Sequence, residues 1–137
     1  MMRQNSKSFG LYAFLSIAVL ASGCEPAPVA PAYGAPYEII LNDSPGGPDV
    51  PPRLHGDRLL TTLSYIGGCA DHQFELGYAV RPDTAHIWIA HKDGDDTCDA
   101  ELTDELHLPL PLPVRGANVI ALHVPDGTAP YILRWGR

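Results

Sequence analysis

Two stretches hold most of the side chains that could do chemistry. One is Gly67-Gly68-Cys69-Ala70-Asp71-His72-Gln73-Phe74-Glu75-Leu76, and the other is His91-Lys92-Asp93-Gly94-Asp95-Asp96-Thr97-Cys98. By ligand type the set suits zinc or calcium, with His72, His91, Asp93 and Asp95 as candidate metal ligands and Asp71, Glu75 and Asp96 close in sequence. The spacing matches no standard site. Asp93-Gly94-Asp95-Asp96 lacks the alternating acid order of an EF-hand loop, and there is no His-Glu-x-x-His. Carboxylates beside an Asp-Gly pair are ordinary turn residues. A histidine that opens a strand, as His72 does, commonly bonds a backbone carbonyl and fixes a bend. The sequence therefore predicts turn chemistry here in preference to bound metal. Cys69 and Cys98 have two readings, a disulfide or a pair of thiolates joining His72 and His91 on a metal ion.

Catalysis finds little support. Ser64 precedes Tyr65-Ile66-Gly67, and no Gly-x-Ser-x-Gly elbow surrounds it. The histidines at 55, 72, 86, 91, 107 and 123 are spread over strands and loops. His107 alternates with leucines and is expected on a solvated face. His123 alternates with Ile120, Leu122 and Val124. A carboxylate pair for glycoside hydrolysis could be drawn at will from 16 acids, so no pair is informative. No catalytic residue is assigned and the chain is not expected to be an enzyme. Trp88, Trp135 and the tyrosines could form a platform for sugar or peptide, but core or edge cover is the plainer expectation.

The N-terminus speaks of export. Arg3 and Lys7 precede an apolar run from Phe9 to Ala21, which is the layout of a secretory signal. At ~1.5 Å per residue the run reaches roughly 20 Å, short of the ~30 Å hydrocarbon core of a bilayer. Leu20-Ala21-Ser22-Gly23-Cys24 then resembles the lipobox of bacterial lipoproteins. That resemblance implies cleavage before Cys24, acyl chains on its thiol and amino group, and anchoring in a membrane. Ala21 is a less usual residue at its place than leucine. Glu25 follows the lipidated cysteine, where aspartate would favour the inner membrane of a Gram-negative cell. The resemblance thus leans to the outer membrane there, in any case to the cell envelope, with the domain facing the periplasm or the surface. No cofactor is expected beyond the covalent lipid.

With Cys24 set aside for lipid, Cys69 and Cys98 remain, in a compartment where disulfides persist. Two consecutive hairpins between them would bring their strand ends together, and the sequence predicts that they are bonded. The two stretches also resemble a pattern of small exported bacterial domains without assigned activity: GGC-x-x-H-x-F-x-L, then a histidine, then a Gly-Asp pair shortly before a cysteine. This resemblance implies an all-β fold with one disulfide.

Residues 1–23 are read as signal peptide, 24–36 as the lipidated cysteine and a Pro/Ala-rich tether, and 37–137 as one β domain. Glu25 to Pro36 (EPAPVAPAYGAP) has four prolines in twelve residues, a composition that extends without forming a core. Loss of Arg3 and Lys7 takes the net charge from −7 to −9, leaving 7 basic against 16 acidic residues. Such acidity argues against nucleic acid and favours a cationic protein partner, a metal ion or plain solubility.

Short strands alternate with Pro/Gly turns along the domain. Strands are predicted at 37–41, 59–66, 72–79, 84–91, 117–124 and 131–135. A further strand over 98–110 is expected to return from the Asp93-Gly94 turn as a hairpin, with a short helix over 102–106 as the competitor. About seven strands in this length predict a small, mostly antiparallel sandwich or barrel. The functional expectation is a non-catalytic binding or envelope-structural lipoprotein. Its rivals are a metal-binding module using His72 and His91 and an inhibitor of a cationic enzyme that attacks the envelope. Lysozyme inhibitors are also small acidic β lipoproteins, though their characteristic loop motif is not found in this sequence.

Overall fold

A computed structural model describes residues 27–42 and 46–136. The signal segment and Cys24 lie outside the described residues. The chain is nearly all β. Its elements are β1 (Glu38–Ile40), β2 (Arg53–His55), β3 (Arg58–Gly67), β4 (Gln73–Val80), β5 (Thr84–Lys92), β6 (Ala100–Pro109), a one-turn helix α1 (Leu112–Arg115), β7 (Val119–His123) and β8 (Tyr131–Leu133). Two four-stranded sheets form a sandwich. In one, β3 is central, with β1 and β2 side by side along one edge and β6 along the other. The second runs β4-β5-β7-β8.

Alternation explains the layers. Along β5, Ala85, Ile87, Ile89 and His91 are buried, while His86, Trp88 and Ala90 are only partly covered. β3 contributes Leu59, Leu63 and Tyr65 from the opposite sheet. Ile120 and Leu122 of β7, Leu133 of β8, Leu110 and Val114 complete the core. A strand with one face on this core and one in water needs just that period of two. Trp88 is half-buried as expected for its face. Its indole lies over Gly77 of β4, where a Cβ would stand 2.2 Å from the ring nitrogen. It covers the sheet at Gly77.

The structure corrects one expectation and adds two details. The strand after the Asp93-Gly94 turn does not return along β5. It pairs with β3, antiparallel over ten positions from Arg58↔Pro109 to Gly67↔Ala100. Both edges of β5 are already taken, by β4 on one side and β7 on the other. The turn therefore carries the chain across the sandwich, and the hairpin signal of Asp-Gly yields to strand pairing at longer range. Second, β5 and β7 are parallel, joined by the crossover through β6 and α1. Third, Arg53–His55 is a strand, bringing the number of strands to eight.

The Pro/Ala-rich segment also runs into the fold. The His91 N–H donates to the Tyr33 carbonyl (2.8 Å), and the Ala35 N–H donates to the His91 carbonyl (2.9 Å). These bonds form a parallel bridge between Gly34 and His91. Gly34 has φ +74°, and a Cβ there would lie 2.3 Å from the His91 carbonyl oxygen. The Tyr37 hydroxyl donates to the Ile89 carbonyl at 2.8 Å. Tyr37→Phe is expected to cost ~1 kcal/mol in a denaturant melt, the usual net worth of one such bond.

Candidate functional site

The site forms where β3 ends, where β4 begins and where the 93–98 turn crosses between sheets. Gly67 and Ala100 close the β3–β6 ladder. The two strands run on past it to Cys69 and Cys98, which are bonded with Cα atoms 5.7 Å apart. The disulfide prediction holds, by a different route. The cysteines meet because β3 and β6 are neighbours, and the β4–β5 hairpin is looped out between them.

Asp96 organises this corner. Its Oδ2 accepts from the backbone N–H groups of Gly68 (2.8 Å), Cys69 (2.9 Å) and Ala70 (2.9 Å), and its Oδ1 accepts from Cys98 N–H (2.9 Å). Its Oδ2 also lies 3.0 Å from His72 Nε2. The carboxylate side chain is 1% exposed and the His72 side chain 4%. The N–H groups of Cys98 and Cys69, followed by those of Ala70 and His72, hold the Asp96 carboxyl far below its ordinary range. Three successive N–H groups around one oxygen form a nest of the kind that binds anions, and the chain fills it with its own side chain.

The two glycines of the GGC motif serve this arrangement. At Gly67 a Cβ would sit 2.2 Å from His72 Nε2 and 2.9 Å from Asp96 Oδ2, so only glycine lets the imidazole lie against the strand. Gly68 has φ +120°, which turns its N–H into the nest. Gly67→Ala should push the His72 ring off Asp96 and cost ~1 to 3 kcal/mol, the usual range for overpacking, read as a lowered denaturant midpoint.

Beyond Asp96 a chain of rings crosses toward the tether. His72 Nδ1 is 2.7 Å from His91 Nε2, and His91 Nδ1 is 3.3 Å from the Pro36 carbonyl. The two imidazoles stack with centroids 5.0 Å apart, and His91 also stacks on Phe74 at 4.5 Å. Tyr65 packs against both histidines. Its hydroxyl donates to Asp104. Burial, then the bond to Asp104 and its charge, push the phenol up to about 12.

A groove of about 590 Å³ opens beside these rings. Tyr37, Tyr65 and Ile66 form much of its wall. His91 and Asp96 lie at its inner end, with Glu38, Asp93 and Glu101 around it. None of its described lining residues is Lys or Arg. Ser64 Oγ donates to Glu101 at 3.0 Å and fixes that carboxylate.

Of the candidate ligands, His72 and His91 come together and Asp93 borders the groove. Asp95 does not join them: it is an exposed turn residue with φ +57°, and its N–H donates to Asp93 Oδ1. Asp96, one more acid in a run of three, is the carboxylate that matters. The signal for it was its place two residues before Cys98. Among the described residues, the one trio of mutually close ligand atoms is Cys69, Asp96 and Cys98. Its sulfurs are spent in the disulfide, which removes the thiolate-metal reading.

A second imidazole pair escaped the sequence reading. His86 Nδ1 and His123 Nε2 lie 2.9 Å apart on the outer face of the β5–β7 pair. Burial, then His123 and Arg81, lower the affinity of His86 for a proton. His107, as expected, is exposed and pairs only with Glu105.

Fold and site together define an all-β sandwich with a disulfide-closed corner and an acidic, aromatic groove. Comparison with models of known protein families, with curated proteins and with solved structures gives no match.

Proposed function

We propose that the chain is an exported lipoprotein, held on a membrane by acyl chains on Cys24, whose β domain is a non-catalytic binding module for a cationic protein. The groove carries this reading. Its carboxylates, tyrosine faces and lack of a Lys or Arg among the described lining residues suit a guanidinium or ammonium group, which gains from a carboxylate at its head and an aromatic ring along its side. The net charge of −9 after signal removal would steer a basic protein toward the domain. A basic enzyme that attacks the envelope belongs to this partner class.

The test uses the full-length chain in detergent with fluorescent Arg/Lys-rich peptides and lysozyme as basic ligands. Binding that weakens with salt, and that Glu38→Gln with Glu101→Gln weakens at least tenfold, is the expected result. Equal binding of an acidic peptide, or unchanged affinity in the double variant, would sink the groove assignment. Anchoring is tested separately: labelled palmitate should enter the wild type in a bacterial host and not Cys24→Ser.

A further inference from the structure

We propose that His72 Nδ1 and His91 Nε2 together bind one divalent transition-metal ion, Cu²⁺ or Zn²⁺, at the inner end of the groove. The inference stands apart from the cationic-partner reading and does not need it. It starts from counting hydrogens. At one end of the ring chain is the Asp96 carboxylate, and at the other is the Pro36 carbonyl. Both groups only accept. Donation to these two acceptors assigns the hydrogens to His72 Nε2 and His91 Nδ1. A neutral imidazole has one N–H, so the two inner nitrogens are left with lone pairs facing each other at 2.7 Å. Lone pairs at that separation repel, and a cation belongs between them.

A proton or a metal ion could take that place. The surroundings select the metal. Glu38, Asp93 and Glu101 border the groove in addition to Asp96, with no Lys or Arg among the described lining residues to balance them, so a dication is better matched than a single proton. Each ring has its outer nitrogen tied, one to a carboxylate and one to a backbone carbonyl. This is the arrangement that fixes tautomer and aim in metal-binding histidines. Two imidazoles with oxygen ligands suit copper or zinc and not magnesium or calcium, and copper should bind the tighter. Nitrogens at ~2.0 to 2.1 Å from one ion sit roughly 2.9 to 3.4 Å apart for right-angled to tetrahedral geometry. The nitrogens need to part by only a fraction of an ångström, and the rings to tilt so that both lone pairs converge on an ion set off the line between them. Water from the groove, which reaches His91, would fill the remaining positions.

The full-length chain in detergent, stripped with a chelator, is titrated with Cu²⁺ under electron paramagnetic resonance and with Zn²⁺ by calorimetry. One ion per chain and hyperfine splitting from two nitrogens are expected, and the spectrum of the wild type alone reads this. His72→Gln and His91→Gln should each weaken binding at least tenfold, while His86→Gln with His123→Gln leaves it unchanged. Asp96→Asn should weaken it roughly 10- to 100-fold. Circular dichroism and a thiol assay check that each variant is folded and disulfide-bonded. No stoichiometric uptake, as from a pair that merely shares a proton, overturns the proposal. So does a nitrogen signal that vanishes only with His86 and His123. Metal uptake without capture of basic peptide would sink the cationic-partner reading alone, and the reverse result would sink the metal site alone.

Discussion

Asp96→Ala is expected to lower the melting temperature of the domain by on the order of 15 °C, a large effect for one turn residue in a chain of this size. The loss has a specific source. Gly68, Cys69, Ala70 and Cys98 each lose the acceptor of their N–H, and His72 loses the partner that orients its ring. Partly buried donors without acceptors, such as those of Ala70 and Cys98, are costly. The pH dependence carries a definite sign. The folded state holds the Asp96 carboxyl well below its ordinary range. Its contribution is therefore complete above about pH 4, the usual aspartate region, and drains away as pH falls toward the lowered folded value. Melting curves from pH 6 down to pH 2 should show the gap between wild type and Asp96→Ala holding to about pH 4 and narrowing below it. A gap that stays constant would refute the assignment of the nest to an ionised Asp96.

The second large effect belongs to the crosslink. Cys69→Ala with Cys98→Ala opens a loop of 29 residues' separation. Loop-closure entropy puts the cost at ~3 to 4 kcal/mol. That is a large share of the ~5 to 15 kcal/mol that holds a typical domain together. A urea titration should show the midpoint falling with the slope little changed. The damage should be local at first, since β3 and β6 still pair over ten residues without the sulfurs. Hydrogen exchange should therefore quicken at Gly68, Ala70 and Cys98 positions before it quickens at Leu59 or Leu63.

These two predictions fall on residues that the sequence revealed unequally. Cys69 and Cys98 were legible by elimination once Cys24 was assigned to lipid. Asp96 was legible only as one of several acids in a turn, because its importance comes from three N–H groups more than twenty residues upstream. The strands were readable wherever one face meets the core, as in Ala85, Ile87 and Ile89. Their partners were not. Asp93-Gly94 is a sound local hairpin signal, yet β6 lies on β3, a partner that no local signal names. The His86–His123 pair was hidden for the same reason, since it depends on parallel contact between strands that are not consecutive. Local chemistry sets where elements start and stop, and the competition for sheet edges sets what they meet.

The Gly34–His91 bridge has a mechanical meaning. A lipid on Cys24 would make the tether the line along which any pull from the membrane reaches the domain. Past the Arg81 side chain, which donates to the Ala27 carbonyl, that pull arrives at two backbone bonds, both on His91. Tension would peel Tyr33 and Ala35 from the end of β5 before it stressed the β3–β6 ladder, because two bonds yield before ten paired positions do. The first strand residue to feel such a pull would thus be the histidine at the inner end of the groove, and stretching the tether would be a way to loosen that ring's grip on whatever it held.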